Sequence, residues 1–155
     1  MPDSELLNKL KDILGQNVTR PVKAAQIAEA IRNERAYRWV GIYDVDTQRG
    51  LISNIAWSGP SAPAHPTFPM TKGLSSRAIS GKKTINVGNV ANDPGYLTAL
   101  ESTRAEIIVP VLDNAADCVI GTIDVESEHL NAFDSRAQAL LEECARLLAD
   151  FWTGD

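Results

Sequence analysis

Cysteine and histidine are scarce in this chain. Its two cysteines, Cys118 and Cys144, are far apart and have no CxxC spacing, so neither a disulfide framework nor a thiolate metal site is expected. The two histidines, His65 and His129, fall in separate loops and give no ligand pattern, so no metal or other cofactor is expected. Apolar runs are only a few residues long, which argues against a membrane-spanning helix. Residues 1–20 lack the basic start and apolar stretch of a signal peptide, making the cytoplasm the default location and free thiols the default cysteine state. Basic residues are outnumbered 15 to 20 by acidic ones, giving a net charge of −5 and a pI near 5.0. Scattered cations on an acidic chain argue against nucleic-acid binding. The densest basic spot, Gly81-Lys82-Lys83, reads as a polar turn.

With 155 residues, 44% of them hydrophobic, the chain has the size of one domain at roughly 150 residues each. A single domain over 1–155 is expected, with an N-terminal helix in 1–18 and the core in 19–155. Leu6, Leu7, Leu10, Ile13 and Leu14 recur at helical spacing between a cap at Asp3 or Ser4 and a stop at Gly15. A second helix starts near Thr19, with Pro21 in its first turn. The last helix carries the clearest apolar stripe, Ala137, Leu140, Leu141, Cys144, Leu147, Leu148 and Phe151, after Asp134 or Ser135 as cap.

Between the helices the period changes. Tyr37–Val45 and Leu51–Trp57 form a hairpin, and residues 58–67, with Gly59, Pro60, Pro63 and Pro66, form a loop. Short strands are expected at Phe68–Met70 and Thr84–Val87, and short helices at Ser75–Ile79 and Pro94–Ser102. Glu106–Leu112 and Cys118–Glu126 make the last hairpin. The fold class is α+β: a central antiparallel sheet with the N- and C-terminal helices on one face and loops and short helices over the other. A pocket is expected on the second face.

Three acids in the last hairpin need explaining. Alternation puts Asp124 and Glu126 on one face with Thr122 and Ile120. If Leu112 faces Cys118 across a five-residue loop, Glu106 lies opposite Asp124, with Cβ atoms about 4.5–5.5 Å apart. The same register sets Arg104 against Glu126. Two readings stay open: an acidic pocket for a cationic group, or a solvated sheet end neutralised by Arg77 or Arg104. Trp39, Tyr43, Trp57 and Tyr96 are the aromatics available to wall a pocket, although each also suits a plain core.

The segments Trp39-Val40-Gly41-Ile42-Tyr43, Lys72-Gly73-Leu74-Ser75, Asp93-Pro94-Gly95, Glu106–Val111, Ile120–Glu126 and Phe133-Asp134 resemble those of GAF domains. Within that superfamily the chain is similar to the free methionine-R-sulfoxide reductases over roughly residues 20–150. The resemblance implies that Glu106, Asp124 and Glu126 hold a ligand amino group, with Trp39 nearby. It also implies that the family's catalytic cysteine falls on Ala99 and the other two cysteine positions on Ser75 and His65. Alanine has no nucleophile, and a serine hydroxyl cannot cycle through sulfenic acid and disulfide. Ser75 is therefore read as a helix cap or a donor into the pocket, and His65 as a loop residue or a pocket-facing one. Cys118 is a poor substitute at about 20 Å from Asp124, taking ~3.3 Å per strand residue.

The function expected is a non-catalytic, small-molecule-binding sensor domain with an acidic and aromatic pocket for an amino acid or amine. Its site is drawn from Glu106, Asp124, Glu126, Trp39, Tyr43, Ser75, His65, Tyr96 and Ala99, with no catalytic residue. A reductase-like enzyme and a ligand-free dimerisation module are the alternatives. The expected partners are a cationic or amino-acid-like ligand and a second copy paired through the terminal helices, with no nucleic acid or membrane. Cyclic nucleotides rank lower because phosphate would approach carboxylates, and no cysteine suits attachment of a bilin.

Overall fold

Leu6, Leu10 and Ile13 bury one side of α1 (Pro2–Leu14), and Ile27, Ala28 and Ile31 do the same for α2 (Arg20–Glu34). A computed structural model of the chain describes residues 2–96, 102–115 and 118–154. α1 starts at Pro2, ahead of the expected caps, so Asp3 and Glu5 lie in its first turn, where negative charge suits the helix dipole. Thr19 precedes α2 and Pro21 lies in its first turn, as the spacing implies. α4 (Ser135–Thr153) follows Asp134, whose carboxylate accepts from the Ala137 N–H at 2.8 Å. Asp134→Ala is expected to destabilise the domain by about 1 kcal/mol in urea unfolding, and an unchanged midpoint would show the cap to be redundant.

The strands are β1 (Trp39–Asp46), β2 (Leu51–Ser58), β3 (Thr67–Pro69), β4 (Ile85–Val87), β5 (Ala105–Leu112) and β6 (Val119–Ser127). They form one antiparallel sheet in the order β3-β2-β1-β6-β5-β4. Val40, Ile42, Ile107, Val109, Ile123 and Val125 point to one side and share a core with α1, α2 and α4. On the other side lies α3 (Gly73–Gly81), whose Leu74 and Ala78 pack against Ile108. Among the described residues, no helix is long and apolar enough to cross a membrane.

Three local expectations change. The helix proposed for Pro94–Ser102 is preceded by a 3₁₀ turn at Val90–Asn92, capped by the Asn89 side chain; Pro94 and Gly95 form a turn, and 97–101 lie outside the described residues. Second, Leu112 pairs with Val119, not Cys118, and a bulge follows because Val111 pairs with Gly121. Ile120 is the extra residue. It packs with the helix-side core while Val119 joins the aromatic cluster opposite, so Ile120 does not share the face of Asp124. Third, the shift sets Glu106 opposite Glu126 and Ile108 opposite Asp124. Glu106 therefore meets Asp124 diagonally, and Arg104, exposed and bonded through its backbone N–H to Ser127, is not the cross-strand partner of Glu126.

Candidate functional site

Residues two apart on a strand share a face, and on the side away from the helices the three central strands contribute one patch. β1 supplies Trp39, Gly41 and Tyr43, which pair with Glu126, Asp124 and Thr122 of β6. β5 adds Glu106 and Ile108. One carboxylate oxygen from each of Glu106, Asp124 and Glu126 lies within 4.8 Å of the other two. These acids are 2%, 7% and 0% exposed, so water cannot screen them.

Burial, and then the mutual repulsion of the three charges, holds the Glu106 carboxyl well above the usual carboxylate range. Asp124 is pushed the same way by burial and by Glu126, while a hydrogen bond from Glu106 partly offsets the rise. Burial and mutual repulsion thus favour protonation within this pair. Two buried oxygens on this face, Asp124 Oδ1 and Thr122 Oγ1, have no hydrogen-bond partner among the described residues. A buried acceptor without a donor is costly.

The arginines that might have neutralised the patch are engaged elsewhere or exposed. Arg77 pairs with Asp93, and Arg104 points to solvent. Among the described residues neither forms an ion pair with Glu106 or Asp124.

Aromatic rings enclose the acids on the β1 side. Trp39 is fully buried, its Nε1–H donates to the Ser61 carbonyl at 3.0 Å, and its ring lies 6.4 Å from that of Tyr43. Gly41 makes this possible, because a Cβ there would sit 2.7 Å from Tyr43 Cε1 and collide with the Trp39 ring. Burial, reinforced by the nearby acids, raises the Tyr43 phenol and keeps it neutral. Tyr96 reaches in from the 90–96 segment and donates to Glu126 Oε1 at 3.4 Å. Thr103 donates to the same oxygen. The sequence reading missed Thr103, although its place just before β5, beside the end of β6, could have suggested it.

Other expected residues fall differently. Ser75 is buried inside the first turn of α3 and does not cap it; the capping position is Lys72, because the left-handed Gly73 (φ 71°) lets the helix start two residues earlier. His65 is exposed, and Trp57, which pairs with Gly41, is 36% exposed and forms a rim. Ala99 lies outside the described residues. Cys144 is buried on the helix side, its thiol pushed up to about 12 by burial, and Cys118 is exposed at the start of β6.

A strand-built acidic cluster thus lies on the sheet face opposite the layer of terminal helices. The chain belongs to the GAF domain family, whose pattern matches residues 23–152. Among particular proteins, it is 27% identical over 143 residues to GAF domain-containing protein A of Dictyostelium discoideum, covering 92% of this chain and 87% of that one. It is 32% identical over 77 residues to the free methionine-R-sulfoxide reductase of Saccharomyces cerevisiae, half of this chain and 42% of that one. The structure of the Neisseria meningitidis free methionine-R-sulfoxide reductase in complex with its substrate superposes with a TM-score of 0.86 at 27% identity, covering 97% of this chain and 88% of that one.

Proposed function

We propose that this GAF domain is a non-catalytic receptor for a free amino acid or small primary amine, with the ammonium group held by Glu106, Asp124 and Glu126. The observation that carries this reading is the spacing of the three carboxylates. Because the three oxygens lie within 4.8 Å of one another, some point among them is no farther than about 2.8 Å from each, within reach of N–H···O bonds to ionised acceptors. An ammonium brings three donors and one positive charge, which answers both the acid cluster and the open Asp124 Oδ1. Trp39 and Tyr43 offer an apolar wall to the rest of the ligand. Likeness to a reductase solved with its substrate supports an amino-acid-like ligand. Ala99, Ser75 and His65, the positions on which the resemblance implies that the family's cysteines fall, support recognition without sulfoxide reduction.

Calorimetry against a panel of amino acids and amines tests the reading. At least one primary amine is expected to bind with saturation, and Glu106→Gln or Asp124→Asn to weaken it at least tenfold; a panel without a hit, or hits indifferent to both changes, would count against it. Affinity is expected to rise with pH, because the incoming cation displaces protons that the Glu106–Asp124 pair binds more tightly than free carboxylates do. A calcium or magnesium titration run alongside separates an amine site from a metal site, since oxygen donors alone also suit hard cations. Free methionine sulfoxide with a thiol reductant should give no turnover, and turnover abolished by Cys118→Ser would replace this reading with the enzymatic one. Pairing of two copies through the terminal helices belongs to the same proposal. Val18 and Val22 are exposed apolar residues beside that layer, and sedimentation at several concentrations tests it.

A further inference from the structure

A second cleft, of about 460 Å³, lies between α4 and the turn that joins α3 to β4. This volume is in the range of small-molecule sites. Its floor is apolar, with Val109 of β5 and Ala145 and Ala149 of α4. Three cations line it, Lys82 and Lys83 from the turn and Arg146 from α4. None of the three forms an ion pair with a described residue, on a chain whose net charge is −5.

Neutral donors among the described residues reach both acids on the cleft wall. Glu142 Oε2 accepts from Thr84 Oγ1 at 2.5 Å and from Gln138 Nε2 at 3.3 Å. Asp113 Oδ1 accepts the Cys118 N–H at 3.4 Å. The lysines are also placed by backbone geometry. Lys82 ends α3 in the left-handed conformation (φ 52°), a position usually filled by glycine, while its N–H bonds back to the Ala78 and Ile79 carbonyls. The Lys83 stem folds along Gly81, where a Cβ would lie 3.3 Å from Lys83 Cε.

We propose that this cleft is a second ligand site, separate from the acid cluster, that takes a small organic phosphate: a dianionic head between Lys82, Lys83 and Arg146 and a short apolar body on Val109, Ala145 and Ala149. Two lysine ammoniums and an arginine fork supply point charge and bidentate donors, the combination that phosphate oxygens accept. The cleft opens on the helix side of β5, where Val109 points, and the acid trio faces the other side.

Phenyl phosphate, inorganic phosphate and benzyl alcohol, titrated into the isotope-labelled full chain, test the site. Phenyl phosphate is expected to shift the amide signals of 82–84 and 145–149 with saturation and to bind more tightly than either fragment. Lys82→Gln/Lys83→Gln/Arg146→Gln should weaken it at least tenfold with an unchanged circular dichroism spectrum, and added salt should weaken it further. Glu106→Gln should leave it unchanged, so a failure here and a failure of the amine pocket are read independently. Absence of saturation, phosphate alone binding as tightly as phenyl phosphate, or undiminished binding to the triple variant would each overturn the site.

Discussion

Glu106→Gln is expected to raise the melting temperature of the ligand-free protein at pH 8 by about 3–6 °C, a gain of roughly 1–2 kcal/mol for a domain of this size. The reason is the confinement of three carboxyls in one dry patch. The folded-state proton affinity of Glu106 and Asp124 exceeds the unfolded one, so between the ordinary carboxyl range and the raised folded values the native state holds more protons than the unfolded state. Stability contributed by these groups is complete at acid pH and is lost as pH rises through that window, at about 1.4 kcal/mol per pH unit for each proton retained. Glutamine removes one titrating carboxyl and keeps a donor for Asp124. The variant should therefore show a flatter stability profile between pH 5 and 8 together with the loss of amine binding. A lower melting temperature, or an unchanged slope, would mean that the acids are not under electrostatic stress.

Gly121→Ala should act in the opposite direction and more strongly, costing about 2–5 kcal/mol in urea unfolding. A Cβ at 121 falls on the indole nitrogen of Trp152 near the end of α4. That nitrogen donates to the Tyr43 carbonyl at 2.9 Å, so the ring cannot withdraw without leaving a buried acceptor of β1 unpaired. The strands are stiff and α4 is pinned by Leu141, Cys144 and Leu148, so the collision has no easy outlet. Trp152→Ala should recover part of the loss in the double variant, because the two changes share one contact. Additive losses would show that Gly121 matters for another reason.

Much of this architecture was legible from periodicity. The apolar stripe from Ala137 to Phe151 specifies a buried helix face, and alternation places Asp124 and Glu126 together whatever the pairing. Pairing register was harder to read, because it depends on where the hairpin absorbs an odd residue. Taking the 113–117 loop as the whole connection set Glu106 against Asp124, whereas the bulge at Ile120 sets it against Glu126. The acid cluster survives that error, since all three side chains stay on one face. Ser75 was misread because a left-handed Gly73 starts α3 ahead of it, and the αL geometry carries no mark in a lone Gly. Thr103 escaped notice because its importance comes from a neighbour 23 positions away, a distance that local pattern cannot span.

The supernumerary Ile120 has a further consequence for how such hairpins can change length. By breaking the two-residue rhythm between the loop and Thr122, it works as a slip joint. Residues gained or lost on the loop side can be taken up there, and the acids downstream keep their orientation. Relatives could thus differ freely at the hairpin tip while the carboxylates stay in phase.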